Sequence, residues 1–151
     1  MPGPLATWPQ RVVAYLITFG ILLAGYVVVW VVSGILGAVS DVLGLLVSLA
    51  GNVVLFVAGL YFWYLDGETG GHPGKRLTGL KTVKIADGQV LGGGMGIVRY
   101  LAHMIDSFIC CIGWFFPLWD DKRQTIADKV MSTVVIAEQP KASFGPDLFK
   151  P

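Results

Sequence analysis

Arg99, His103 and Asp106 stand at i, i+4 and i+7 within "RYLAHMIDSF" (residues 99–108), in one of the few hydrophobic stretches of the chain. That spacing puts all three on one helical face. Leu101, Met104, Ile105 and Phe108 fall on the opposite face, so the stretch reads as an amphipathic helix. An arginine, an imidazole and a carboxylate in apolar surroundings serve either as a paired structural contact or as an ion or proton pathway. Arg99 and Asp106 would lie about 10.5 Å apart along a helix axis, too far to pair with each other. His103 can bridge to either, and each otherwise needs a partner from another element. For Asp106 that partner is expected to be Arg11 or Arg123.

The elements that position this face are membrane helices. Of 151 residues, 54% are hydrophobic and only 14% charged, against roughly 25% charged in soluble domains. Val12 to Val39 and Val42 to Leu65 contain no charged side chain. Each run exceeds the roughly 20 apolar residues that cross a hydrocarbon core of about 30 Å. The lead-in "MPGPLATWPQR" carries one basic side chain, and the run behind it is too long for a signal-peptide core, so a retained helix is expected. Only Ser40 and Asp41 separate the runs, which predicts a tight hairpin of helices at about 12–38 and 42–65. Gly20 with Ala24, and Gly44 with Ser48, follow the small-xxx-small spacing that lets helices approach closely in lipid. Asn52, midway along the second run, would hydrogen-bond to a neighbouring helix or line an ion path.

Lys and Arg occupy position 11, the 66–94 connection, position 99 and the tail, but never the hairpin turn. The positive-inside rule then places the N-terminus and central loop in the cytoplasm. Pairing logic places the tail there too. "LKTVKIADGQVL" (80–91) reads as a β-hairpin around Asp87-Gly88, a type I′ signature. "MSTVVIA" (131–137) reads as a further strand, near 130–137, that would join it. A segment at 96–119 that enters and returns satisfies this better than one that crosses fully, although a full crossing stays open. Gly113 and Pro117 interrupt its apolar part.

Other motifs exclude chemistry more than they assign it. In "TGGHPGKR" (69–76), Thr69 takes the first glycine position of a phosphate-binding loop and Arg76 the magnesium-binding position, so no nucleotide site is expected. Lys75, Arg76, Lys81 and Lys84 are expected to meet anionic lipid headgroups, at about 1 kcal/mol each. A formal net charge of +1 offers nothing for nucleic acid. Histidines 72 and 103 lack metal-ligand spacing, and Cys110-Cys111 form no CxxC pair and read as buried free thiols. No side chain has the setting of a nucleophile. Neither a cofactor, a metal nor enzymatic activity is expected. Trp8, Trp30, Trp63, Trp114 and Trp119, with Tyr61 and Tyr64, are expected at the membrane interfaces.

"RVVAYLIT" (11–18) and "RYLAHMID" (99–106) share Arg, Ala and Ile at equal offsets, suggesting two helix starts with similar roles. With "GGHPGKRLTGLKTVKIADG" (70–88) and "KRQTIADKVMSTVVI" (122–136), the chain resembles the RDD family of small bacterial membrane proteins over residues 8–137. That family is named for an arginine and two aspartates, and carries GKR-x-x-G-L and D-K-x-x-x-T-V-V motifs. By position, Arg11 matches the arginine and Asp128 the last aspartate. The first aspartate falls on Thr18 here, and Asp106 is the carboxylate that would take its place. The resemblance implies one membrane domain over 1–137 in a bacterial plasma membrane, followed by a polar tail at 138–151.

Two functions are compatible with these residues. One is a non-catalytic accessory or assembly subunit of a larger membrane complex, respiratory among the candidates. The other is an ion or proton transporter working as a homo-oligomer, which the resemblance also suggests. Partners expected are the lipid bilayer and other membrane subunits.

Overall fold

Thr7 starts the first helix by a reciprocal cap. Its hydroxyl accepts from the Gln10 N–H (3.4 Å), and the Gln10 carboxamide accepts from the Thr7 N–H (2.8 Å). Pro9 follows in the first turn, where a missing N–H is harmless. In the computed structural model, which describes residues 1–151, this helix, α1, runs Trp8–Val39 and α2 runs Asp41–Thr69. Ser40 alone separates them, its extended backbone (φ −158°) reversing the chain. Gly44 lies against the Gly37 backbone just past the turn, and Gly51 sits under Val29 further along. Both helices are long and apolar enough to cross a membrane. Most of their surface faces outward, with Leu16, Trp30, Leu46 and Val54 exposed.

Gly70 ends α2 in the left-handed region (φ 84°). The chain then folds into α3 (Pro73–Thr78), β1 (Lys81–Lys84), α4 (Gly93–Phe108), α5 (Ile112–Phe115), a 3-10 turn (Phe116–Leu118), α6 (Ile126–Val130), β2 (Thr133–Ile136) and a last 3-10 turn (Pro146–Phe149). β1 and β2 pair antiparallel, Lys81 opposite Ile136 and Lys84 opposite Thr133. Leu5 bridges to Ile136 beside them. The N-terminal arm, the α2–α4 connection and the C-terminal strand therefore share one layer at one end of the hairpin. Ala6, Ala14, Leu80, Val135 and Ala137 form its apolar core.

Two expectations are corrected here. The 80–91 hairpin does not form. One edge of β1 is taken by β2, and its other edge donates Thr82 N–H to Gly70 O and Lys84 N–H to Gln89 O. Gly88 has positive φ (69°) but Asp87 does not, so the turn is not type I′. Cys110 and Cys111 are free but exposed, at the reversal between α4 and α5, both with positive φ. Trp63 is buried within the protein, stacked on Tyr100 at 4.6 Å. The 96–119 segment is bent by 104° between its halves. Its apolar residues Leu101, Ile105 and Phe108 face outward while its ionisable residues face the protein.

Candidate functional site

The inward face of α4 meets charges from four other elements. Arg99 donates Nη2 (2.5 Å) and Nε (3.1 Å) to Asp128 of α6, and Nη1 (3.0 Å) to Asp66 in the last turns of α2. Asp128 accepts Arg11 Nη1 of α1 at 2.7 Å. Asp66 accepts Lys75 Nζ of α3 at 2.8 Å. The result is one buried chain, Arg11–Asp128–Arg99–Asp66–Lys75, that ties five helices. Buried ions are tolerated only when paired and hydrogen-bonded. These are: Asp128 also accepts Thr125 N–H and Thr133 Oγ1, and Lys75 also donates to Thr82 Oγ1.

The close approach that allows this comes from glycines. A Cβ at Gly67 would strike the Gly92 and Gly96 backbones, so only glycine lets α4 lie on the end of α2. Gly74 likewise sits against the Ala14 carbonyl, which seats α3 on α1.

His103 and Asp106 form a second arm. His103 Nδ1 meets Asp106 Oδ2 at 2.8 Å, and its Nε2 meets Tyr15 OH at 3.3 Å. The expected pairing of Asp106 with Arg11 or Arg123 does not form. Its carboxylate accepts the Ile126 N–H (2.9 Å) and Ala127 N–H (3.3 Å) at the start of α6. Nor does Asp106 fill the position of the missing aspartate. Thr18 keeps that place itself, accepting Gly74 N–H (2.8 Å) and bonding His72 Nδ1 (2.7 Å). The two related stretches thus work alike. Arg11 and Arg99 each hold one oxygen of Asp128, while Thr18 and Asp106 each accept backbone amides in the first turn of a short helix.

Of the four expected headgroup ligands, Lys75 is 1% exposed and faces inward. Arg76 is engaged by the tail carbonyls of Asp147, Leu148 and Lys150. Lys81 and Lys84 lie on β1, partly exposed. The tail is held by its own chain: Leu148 is fully buried, and Phe149 stacks on Phe62 while its carbonyl accepts Tyr61 OH. Asn52 is exposed on α2, away from the ionic chain, and bonds only to Ser48. Asp66 and the inward role of Lys75 escaped the sequence reading. The signal available was an acid closing one apolar helix and a base opening the next, across the Gly70-Gly71 turn.

Burial lowers the Lys75 amine to about 8, although Asp66 opposes the shift. Burial and then the Lys75 charge hold His72 well below the ordinary imidazole value. His72 Nδ1 hydrogen-bonds the Thr18 hydroxyl, and its Nε2 is buried without a partner. Burial alone would raise Asp128, but the Arg99 and Arg11 guanidiniums hold it well below the usual carboxylate range. A folded value below the unfolded one of about 3.9 means the stabilisation is complete above it and lost on acidification. Melting in detergent should therefore begin to fall below about pH 6.5, where the unfolded chain takes up the His72 proton that the folded one refuses, and fall more steeply below about pH 4 as Asp128 must be protonated. Stability that stays level or rises on acidification would contradict the assignment.

The chain is similar to the "Proline-rich antigen" of Mycobacterium leprae (strain TN), 52% identical over 75 residues, covering 50% of this chain and 30% of that protein. It is similar to the "Proline-rich antigen homolog" of Mycobacterium tuberculosis (strain ATCC 25618 / H37Rv), 46% identical over 97 residues, covering 59% of this chain and 40% of that protein. The chain thus spans less than half the length of these curated relatives. No solved structure matches. The model described as "RDD family" matches residues 5–132, which hold all five members of the ionic chain. With two membrane-length helices and that match over most of its length, the chain belongs to the RDD family of membrane proteins.

Proposed function

We propose that this protein is a non-catalytic accessory or assembly subunit of a larger complex in the bacterial plasma membrane. It docks there through the α1–α2 hairpin, with its N-terminus, α2–α4 connection and tail in the cytoplasm. The distribution of Lys and Arg supports the orientation.

Asn52 carries the docking reading. It is exposed halfway along α2, Nδ2 donates to Ser48 O (2.7 Å) in its own helix, and its carboxamide oxygen has no partner within the chain. An unpaired polar group facing hydrocarbon is costly, so a polar group from another helix is expected opposite it. The ionisable side chains, by contrast, are paired inward and join helices of this chain to each other.

The test is purification of the tagged chain from its native membrane in mild detergent, with mass spectrometry of co-eluting proteins. A stoichiometric larger partner supports the reading. A homo-oligomer without other subunits overturns it in favour of ion or proton transport, to be measured as flux in liposomes. Asn52→Leu should leave the melting of the isolated chain unchanged within about 0.5 kcal/mol while sharply reducing partner recovery. Full recovery with the variant would remove Asn52 from the interface.

A further inference from the structure

For a helix in water, α4 is built inside out. Its ionisable side chains, Arg99, His103 and Asp106, are all buried, whereas Met95, Val98, Leu101, Met104, Ile105 and Phe108 are exposed. Beyond Asp106 the chain carries no charge until Asp120. Ile112, Phe115, Leu118 and Trp119 extend the exposed apolar surface along α5 and the 3-10 turn. A contiguous apolar surface of this extent marks a membrane or protein contact, and its position says which.

Both ends of the segment stand at the end of the molecule that carries the β pair. Gly92 N–H donates to Gly67 O (2.8 Å) where α4 begins, and beyond the 3-10 turn Arg123 Nη1 donates to Leu5 O (2.9 Å), beside Ile136. Between these ends the segment points along α1. Met104, Ser107 and Phe108 line one groove with Phe19. Phe19 lies about 12 Å along the helix axis from Arg11, where the charge-free run of α1 begins. That is less than half of a hydrocarbon core of roughly 30 Å, so the tip reaches into one leaflet and stops short of the midplane. At that depth the outer face of α4 continues the lipid-facing surface of α1, where Leu16 and Phe19 are exposed.

Hydrocarbon also requires the backbone of a reversal to be paired. Ile109 N–H donates to Ile105 O, Cys111 N–H to Ser107 O, Ile112 N–H to Ile109 O and Trp114 N–H to Cys111 O. Trp114 Nε1 adds a bond to Ser107 Oγ (3.0 Å) across the bend.

We infer that α4 and α5 form a re-entrant V immersed in one leaflet, the one at the β-pair end, and that lipid acyl chains cover its outer face. Cys110 and Cys111, at the tip, are then thiols in hydrocarbon. The inference involves no partner complex, so it stands or falls separately from docking at Asn52.

These two cysteines are the only ones in the chain, which makes the tip directly measurable. Cys111→Ser leaves Cys110 for a nitroxide attached in detergent, before the full chain is reconstituted into phosphatidylglycerol–phosphatidylcholine liposomes. Cys110→Ser, which leaves Cys111, is the second variant if the first folds poorly. Power-saturation EPR then compares collisions with oxygen, which partitions into hydrocarbon, and with a polar nickel chelate, which does not. Oxygen should dominate at the tip, and the order should reverse at Lys122→Cys in a Cys110→Ser/Cys111→Ser background. Nickel dominating at the tip overturns the inference, since the V would lie in water. A tip shielded from both overturns it too, because protein, from a second copy or another subunit, would then cover the face. In the same background, Gly94→Cys, at an open position, and Lys122→Cys should react with an impermeant maleimide from the same face of sealed native-membrane vesicles. Reaction from opposite faces would mean a full crossing and overturn the inference.

Discussion

Asp128→Asn is expected to cost roughly 3–5 kcal/mol of folding stability, the usual penalty for removing one partner of a buried ion pair. Domains are stable by only about 5–15 kcal/mol, so the variant should melt far below the parent or fail to accumulate. The reason is the number of groups that converge on this carboxylate. Arg11 and Arg99 each hold an oxygen, and Thr125 N–H and Thr133 Oγ1 complete its shell. Asparagine keeps the size but leaves two guanidiniums buried against a neutral amide. Adding Arg11→Met should restore part of the loss, because one uncompensated charge is then gone. Thermal melts of the two variants in one detergent check both statements. A single variant that melts with the parent would show that Asp128 is not what joins α1, α4 and α6.

The second large effect is expected at Gly67. A Cβ there would meet the carbonyl oxygen of Gly92 and the backbone of Gly96, and neither can rotate aside as a flexible side chain can. Gly67→Ala should push α4 off the end of α2 and stretch the Arg99–Asp66 pair, which is 3.0 Å long in the parent. Overpacking of this kind costs about 1–3 kcal/mol, and more where the obstacle is backbone. Gly20→Ala is the control. Nothing lies within 4 Å of a Cβ at Gly20, and alanine is favoured over glycine in a helix interior by about 1 kcal/mol. Melting should fall for the first and hold or rise for the second. Equal melting of both would mean that α2 and α4 have room to separate.

Much of the fold was legible because hydrocarbon imposes a simple code. Two charge-free runs separated by Ser40 and Asp41 mark a hairpin with almost no competing reading. The inward face of α4 was legible for a related reason. Arg99, His103 and Asp106 at one-face spacing are too costly to leave to lipid, so they had to turn toward protein. Their partners were not legible. Asp66 closes an apolar run, where an acid reads equally well as the membrane exit. Lys75 sits beside Arg76, and spacing alone does not tell which of two adjacent cations points inward. The structure separates them: Lys75 is sealed under Tyr15 and Thr82, and Arg76 holds the tail. The hairpin at 80–91 failed because turn chemistry at Asp87-Gly88 is local, whereas strand pairing is decided by the partner whose side chains pack best across the edge, here Val134 and Ile136 against Val83. The last strand, β2, supplied that partner.

The 104° reversal between α4 and α5 also determines the silhouette of the molecule. At the Ser40 end only two helices are present. At the other end α3, α4, α5, α6 and the β pair are gathered around those same two helices. The protein is therefore a wedge, narrow at the turn and broad at the sheet. If α4 and α5 lie in the leaflet at the broad end, such a shape would displace more lipid from that leaflet than from the other, and its lateral packing would depend on curvature as well as on composition.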